Sequence, residues 1–435
     1  MSDQRRERDF LGEIAIPSSA LWGASTARAI ENFGAEAAVT LPDRPSFLRA
    51  IVQVKIAAAR ANCELGALDP EIAEAIVVAG REVIAGKWSD QFPVNLLQGG
   101  GGTATNMNVN EVLANRAEEI CGGTRGAYSR VHPNDHVNRS QSTNDVYPSA
   151  LGLATMIVGR ETVADFERLA SAFAARAAAY PGAERLGRTC LRDSLPVSIE
   201  ATHLAHAHAL RRLAESLARA LEELRFLPLG GTAVGTGAGA PDGYRELVVR
   251  LLVEESGVDL EPAVDLHDAF ANLDPHLAVA SELERLTLVA AKFAQDLRFH
   301  YSGPVGGVAE VVLPPVQAGS SMMPGKVNPV MPEFMLQASF EVRGARHIVE
   351  CAVAAGELEL NVMEPVIAKH LLGALADSGA AARLFAERCI DGLEWDSAVT
   401  EANLRGSLLA AVGEAAEVGW EAHRERAAGK RGGRA

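Results

Sequence analysis

The chain has 435 residues, and its 41 Lys+Arg against 56 Asp+Glu give a formal net charge of −15 at pH 7. So acidic a chain has no electrostatic case for binding nucleic acid, and a hydrophobic content of 48% excludes wholesale disorder. Aromatic residues make up only 5%, and a core filled by Ala and Leu suits close helix packing better than a sheet.

The N-terminal MSDQRRERDF lacks an apolar signal core. No uninterrupted apolar run approaches membrane-spanning length, so a cytoplasmic location without membrane contact is expected. Residues 1–45 are mixed in character. Helical periodicity then runs over roughly 47–65, 69–86, 107–120, 146–180, 198–225 and 276–300. Two stretches are strict. Leu210, Leu213, Leu217, Ala220 and Leu224 repeat at alternating steps of three and four, as do Val279, Leu283, Leu286, Ala290, Phe293 and Leu297. Such heptad seams belong to long helices packed side by side. No β-strand alternation of useful length is found, so a mainly all-α fold is predicted. Cys63, Cys121, Cys190, Cys351 and Cys389 are widely spaced with no CxxC pair, which argues against both a disulfide framework and a structural zinc site.

Three segments between the helices stand out. Gln98–Asn110 (QGGGGTATNMNVN) and Ser140–Asn144 (SQSTN) carry no charge, and residues 301–332 hold only Glu310 and Lys326. Taken singly, each suits a local role. Ser and Thr cap helices, and four consecutive glycines allow a close backbone approach. Taken together, they describe an anion site built from hydrogen-bond donors with Lys326 as its fixed cation.

GSSMMPGKVNP (319–329) resembles the flexible-loop motif of the aspartase/fumarase superfamily. QGGGGTATNMNVNEVLANRA (98–117) and HPNDHVNRSQSTNDVYPSA (132–150) are similar to its two other conserved regions. The resemblance implies reversible β-elimination that yields fumarate from a succinyl compound, with no cofactor and no catalytic metal. It also implies a long-helix bundle, a homotetramer with a helical core, and active sites shared by three subunits. The expected organisation is an N-terminal mixed domain over 1–139, a central bundle over 140–395, and a shortened C-terminal helical segment over 396–435 ending in a basic, disordered tail from His423.

The resemblance assigns roles to particular residues. Ser320 is the base that removes a proton beside a carboxylate. A serine can do this only if Lys326, loop N–H groups and exclusion of solvent lower its pKa. Thr103, Ser142, Thr143 and Ser321 would hold the carboxylate that becomes the aci-acid, stabilising developing charge as an oxyanion hole does. Lys326 and Asn328 would hold the other carboxylate of a small dicarboxylate substrate, Asn144 would contact the leaving group, and Thr189 would line the pocket. Residues 319–330 would form a lid.

Departures from the family pattern bear on the reaction. Fumarases carry a His after GRT, paired with the glutamate matching Glu333. Here Cys190 stands there, and it cannot reproduce a His–Glu relay; it reads equally as a small buried filler. STND (142–145) and LNVMEP (360–365) match the aspartase branch. The expected reaction is L-aspartate to fumarate and ammonia. The alternatives are an N-substituted aspartate, malate, or a catalytically silent helical scaffold.

Other features are read as structural. His203, His206 and His208 have metal-like spacing but no acidic or Cys partner, and fit a solvated or interface helix face. GTAVGTGAG (231–239) lacks the phosphate-loop pattern and is expected to be a turn near the site. The HPND stretch would form, by the resemblance, a weak secondary anion site.

Overall fold

The computed structural model describes every residue except 1–3, 35–37, 408, 423 and 425–435. Apart from Arg424, the tail suggested to be disordered therefore lies outside the described residues. In chain order, a hairpin of β1 (Gln4–Asp9) and β2 (Gly12–Pro17) leads into α1 (Ala24–Phe33), α2 (Pro45–Glu64), α3 (Pro70–Ile84), α4 (Thr103–Ile120) and α5 (Thr143–Ala178). A second hairpin follows, of β3 (Glu184–Thr189) and β4 (Arg192–Ser198). Then come α6 (Ile199–Glu222), α7 (Tyr244–Ser256), α8 (Leu266–Ala271), α9 (Asp274–His300), α10 (Val330–Ala354), α11 (Glu364–Arg388), α12 (Ser397–Arg405) and α13 (Leu409–Val418). The fold is mainly α, as predicted.

Each of the six periodic segments is a helix, and both heptad seams are buried within the single chain. Val279, Leu283, Leu286 and Ala290 are wholly inaccessible, as are Leu210 and Leu217. These seams therefore form the chain's own core. The hairpins correct the expectation of no strands. β3 pairs antiparallel with β4 around a turn at Cys190 and Leu191, both with positive φ (52° and 58°). Both central residues of this turn are left-handed, a conformation usually marked by Asn or Gly, so the sequence carries no turn signal. α10 and α11 are 25 residues each. The Ala-rich sequence of α11 blurs its apolar period.

The described residues form two compact units. One comprises Met1–Val163, Glu215–Arg285 and Phe340–Ser378, the other Ala164–Ala214, Leu286–Ser339 and Gly379–Ala435. In the first, α2 is buried almost all round. α4 is anchored by buried carboxylates. Glu111 accepts the Gly23, Ser25 and Thr26 N–H groups at 2.8–3.1 Å, which caps α1 from outside, since Gly23 brings no capping side chain. Glu118 accepts the N–H groups of Ser129, Arg130 and Val131.

In the second unit, Phe173 packs edge-on to His206, Phe293 and Phe385. His206 stacks on Phe293 at 3.8 Å, and buried His203 accepts a 2.9 Å hydrogen bond from the Trp395 indole N–H. The reading of this histidine face as solvated or interfacial is thus corrected for His203 and His206. His203 is a core residue and His206 is half-buried against Phe173 and Phe293, and burial drives their pKa values down to about 4 and about 3. His208 lies outside this cluster.

Candidate functional site

In the first unit a cavity of about 460 Å³ is lined by Asn106, Asn138, Gln141, Ser142, Thr143 and Thr232, among others, with no charged side chain in its wall. Its order comes from the start of α5. Ser142 and Asp145 form a capping box. The Ser142 N–H donates to Asp145 Oδ1 at 2.9 Å, while Ser142 Oγ accepts from the Asn144 N–H at 3.2 Å. The cap of α5 is thus Ser142. Asp145 Oδ2 accepts the Gly230 and Thr232 N–H groups, each at 3.0 Å. One buried carboxylate therefore fixes both the helix start and the 230–232 turn, and the GTAVG segment is a turn beside this cavity.

From the other side, Lys55 and Asn62, seven residues apart on α2, hold residues 138–141. Lys55 Nζ donates to Asn138 Oδ1 (3.0 Å) and Gln141 Oε1 (2.9 Å), and Asn62 Oδ1 accepts from Ser140 Oγ (2.6 Å). Asn138 Oδ1 also accepts from Asn106 and Asn110. Asn106 Nδ2 further donates to Thr143 Oγ1 at 3.1 Å. With that lone pair occupied, the Thr143 hydroxyl proton is left to donate elsewhere. Burial lowers the Lys55 pKa to about 7 and raises that of Asp145 to about 7, each opposed by the other's charge and, for Asp145, by its N–H donors.

Thr103 opens α4, and its hydroxyl donates to Gly100 O at 2.8 Å. It lies one turn before Asn106 and is not among the residues that line the cavity. The glycine run has the close approach expected of it at one position. Gly102 has φ +87°, and a Cβ there would lie 2.2 Å from the ring of Tyr147. Asn144 Nδ2 donates to Ala233 O at 2.8 Å, and its Oδ1 accepts nothing from the described residues.

The other sequence-selected residues belong to the second unit. Ser320 is half-buried, and its Oγ accepts the Met322 and Met323 N–H groups at 3.1 and 2.9 Å. Such bonds favour a hydroxyl's deprotonated form. The loop closes on itself. The Gly319 N–H donates to Lys326 O (2.8 Å) and Asn328 Nδ2 to Gly319 O (2.7 Å). A Cβ at Gly319 would come within 2.6 Å of the Asn328 nitrogen. Ser321 and Lys326 are exposed, and Lys326 forms no ion pair with a described residue. Glu333, in the first turn of α10, lies 3.5 Å from Arg298.

Thr189 and Cys190 occupy the exposed tip of the second hairpin. Cys190 is therefore no buried filler. The neighbouring Arg188 is held bidentately by buried Glu310 (2.9 and 2.7 Å), which also meets His300 (2.7 Å) and Asn403 of α12 (2.8 Å). Burial alone would raise the Glu310 pKa. The bonds from His300, Arg188 and Asn403 outweigh it and hold the pKa at about 2.

The sequence reading missed Lys55, Asn106, Asp145 and Thr232. Lys55 had a signal, a lone charge inside the apolar run IVQVKIAAA. Asp145 was hidden inside a motif, and Thr232 in a glycine-rich turn. Among the described residues there is no cluster of three or more His, Cys, Asp or Glu able to hold a metal ion, and no helix long and apolar enough to cross a membrane.

The model of a family described as lyase matches residues 12–344. An aspartate ammonia-lyase of Bacillus sp is 42% identical over 90% of this chain and 83% of its own length. A class II fumarate hydratase of Thermosynechococcus vestitus is 38% identical over 97% and 90%. A solved structure described as fumarate lyase:delta crystallin from Brucella melitensis, bound to cobalt, superposes with a TM-score of 0.93 at 40% identity, covering 97% of this chain and 92% of the other. The chain belongs to the aspartase/fumarase superfamily of lyases.

Proposed function

We propose that the protein releases ammonia from L-aspartate to give fumarate. The observation that carries this reading is the Ser320 hydroxyl, loaded with two backbone N–H donors in a loop whose one charge, Lys326, forms no ion pair with a described residue. Ser320 would take the proton from the carbon next to a carboxylate. The C–H electron pair moves into that carboxylate, giving the aci-acid, and Thr103, Ser142, Thr143 and Ser321 donate to its oxygens. Lys326 and Asn328 would hold the second carboxylate, with Lys326 acting as a point charge. The pair then returns to form the C=C bond as the C–N bond breaks and the nitrogen leaves as ammonia. The unoccupied Asn144 Oδ1 suits an amino leaving group, which it can accept from. Thr189 and Cys190 would border the same pocket, and Glu333 would support the loop from α10.

A homotetramer whose active sites draw on three subunits fits this reading. It would account for donors carried on separate segments of chain, and exposed Phe334 and Phe340 on α10 (38% and 59%) offer apolar surface for other copies. Malate is the second reading, favoured by the fumarate hydratase relative. Against it, this chain carries Cys190 where the resemblance would place the fumarase histidine after Thr189.

Purified protein offered aspartate, malate and N-substituted aspartates, with fumarate followed by ultraviolet absorbance, tests the reading. Aspartate should be turned over fastest. Turnover of malate alone would overturn the ammonia-lyase assignment, and silence on every succinyl compound would favour a scaffold.

A further inference from the structure

Thr232 combines three observations that no assigned role explains. Its backbone is left-handed, with φ +59°, a conformation that a β-branched residue rarely adopts and that persists only where its surroundings impose it. Its residue is 5% exposed, and its Oγ1 is buried with no hydrogen-bond partner among the described residues. It also lines the neutral cavity together with Ser142 and Thr143. Glycines flank the position at 230, 231 and 235, so the turn could have been made without a side chain here.

The backbone of Thr232 is fixed by the same carboxylate that fixes Ser142. Asp145 Oδ2 accepts the Thr232 N–H at 3.0 Å and Asp145 Oδ1 the Ser142 N–H at 2.9 Å. Asn106, through its 3.1 Å bond to Thr143 Oγ1, leaves the Thr143 proton free to donate. A buried hydroxyl with no partner is costly unless a ligand or water completes it. The ligand class that suits a cavity of hydroxyl donors at the start of a 36-residue helix is an anion.

We infer that Thr232 is a further substrate-binding residue, whose hydroxyl donates to the same carboxylate as Ser142 and Thr143. Asp145 is the positioning residue that holds the Ser142 and Thr232 backbones, while Asn106 engages the Thr143 hydroxyl. This rests on the dicarboxylate reading above, and the test is chosen to separate the two.

Succinate, which has no leaving group, would be titrated calorimetrically into the full-length wild-type protein and into Thr232→Val, Thr232→Ser and Thr232→Gly, with melting temperatures recorded in parallel. Val keeps the branched shape and removes the hydroxyl. Gly removes the hydroxyl and relieves the left-handed backbone. Ser keeps the hydroxyl. Val and Gly should each weaken succinate by roughly tenfold or more, the scale of one hydrogen bond to a charged group, while Ser recovers most of the affinity. Gly should melt no lower than wild type, which shows that its loss does not come from a damaged fold. If Thr232→Gly or Thr232→Val bound succinate as wild type does, the inference alone would be overturned. Failure of the wild type to bind succinate would overturn it together with the dicarboxylate reading. Binding without fumarate release from aspartate would remove the proposed reaction and leave this inference standing.

Discussion

The cavity of the first unit and the 319–328 loop of the second carry similar chemistry in opposite physical states. Around the cavity, Lys55, Asn106 and Asp145 are almost wholly buried, and their bonds fix each lining group from behind. The loop is exposed, with Met322 at 81%, and is tied mainly to itself through Gly319, Ser320, Lys326 and Asn328. Donors that stabilise developing charge work best when they cannot reorganise. A base that must approach a bound substrate and exclude water works best on a segment that costs little to move. On the proposed reading, the cavity would supply fixed donors for the developing charge, and the loop would supply the base together with Ser321, Lys326 and Asn328.

That contrast can be broken from either side. The largest effect should come from Ser320→Ala, which removes the base and should lower kcat on aspartate by about a thousandfold, within the range of general acid–base catalysis. The readout is fumarate absorbance, and a rate within tenfold of wild type would remove Ser320 from its role. On the rigid side, Gly102→Ala forces a Cβ against the Tyr147 ring at φ +87°. It should cost about 3 kcal/mol through overpacking and backbone strain, seen as a lower melting temperature.

A third prediction concerns the hairpin next to the loop's unit core. Glu310 has its pKa held at about 2 in the fold, against about 4 for a free glutamate. A lowered carboxylate pKa contributes stability that is present above the free value and is lost as the pH falls toward the folded one. Wild type should therefore lose up to about 3 kcal/mol between pH 4.5 and pH 2 from this group. Glu310→Gln should be less stable at neutral pH and show a shallower acid decline in melting temperature over that window. Equal slopes would show that the Arg188–His300–Asn403 cluster does not depend on the charge. The smallest effect is expected at the hairpin tip, where Cys190→Asn replaces a strained left-handed residue with one that tolerates the conformation. It should stabilise by about 0.5 kcal/mol, a rise of about one degree or less in melting temperature.

Much of this was legible in the sequence, for physical reasons. The seam from Val279 to Leu297 announced itself because a buried helix stripe must repeat every three to four residues. The uncharged loops were visible because exposed loops without charge are unusual. The β3–β4 hairpin was not legible, since its turn uses Cys190 and Leu191 where Asn or Gly would have marked it. His203 and His206 were misplaced because an Ala/Leu helix offers no sign of which histidine face meets Phe173 and Trp395. One support of the cavity was hidden for a related reason. Asp145 looks like a surface charge until the groups that satisfy it are known, whereas Lys55 could have been found from the apolar run around it.

The central claim is that Ser320 removes the proton while other side chains hold the carboxylates, those of the fixed cavity together with Ser321, Lys326 and Asn328 of the loop. The most direct measurement is the affinity of Ser320→Ala for succinate, taken beside its turnover of aspartate. The account predicts affinity within a few-fold of wild type with turnover abolished. Loss of both together, or turnover that survives, would contradict it.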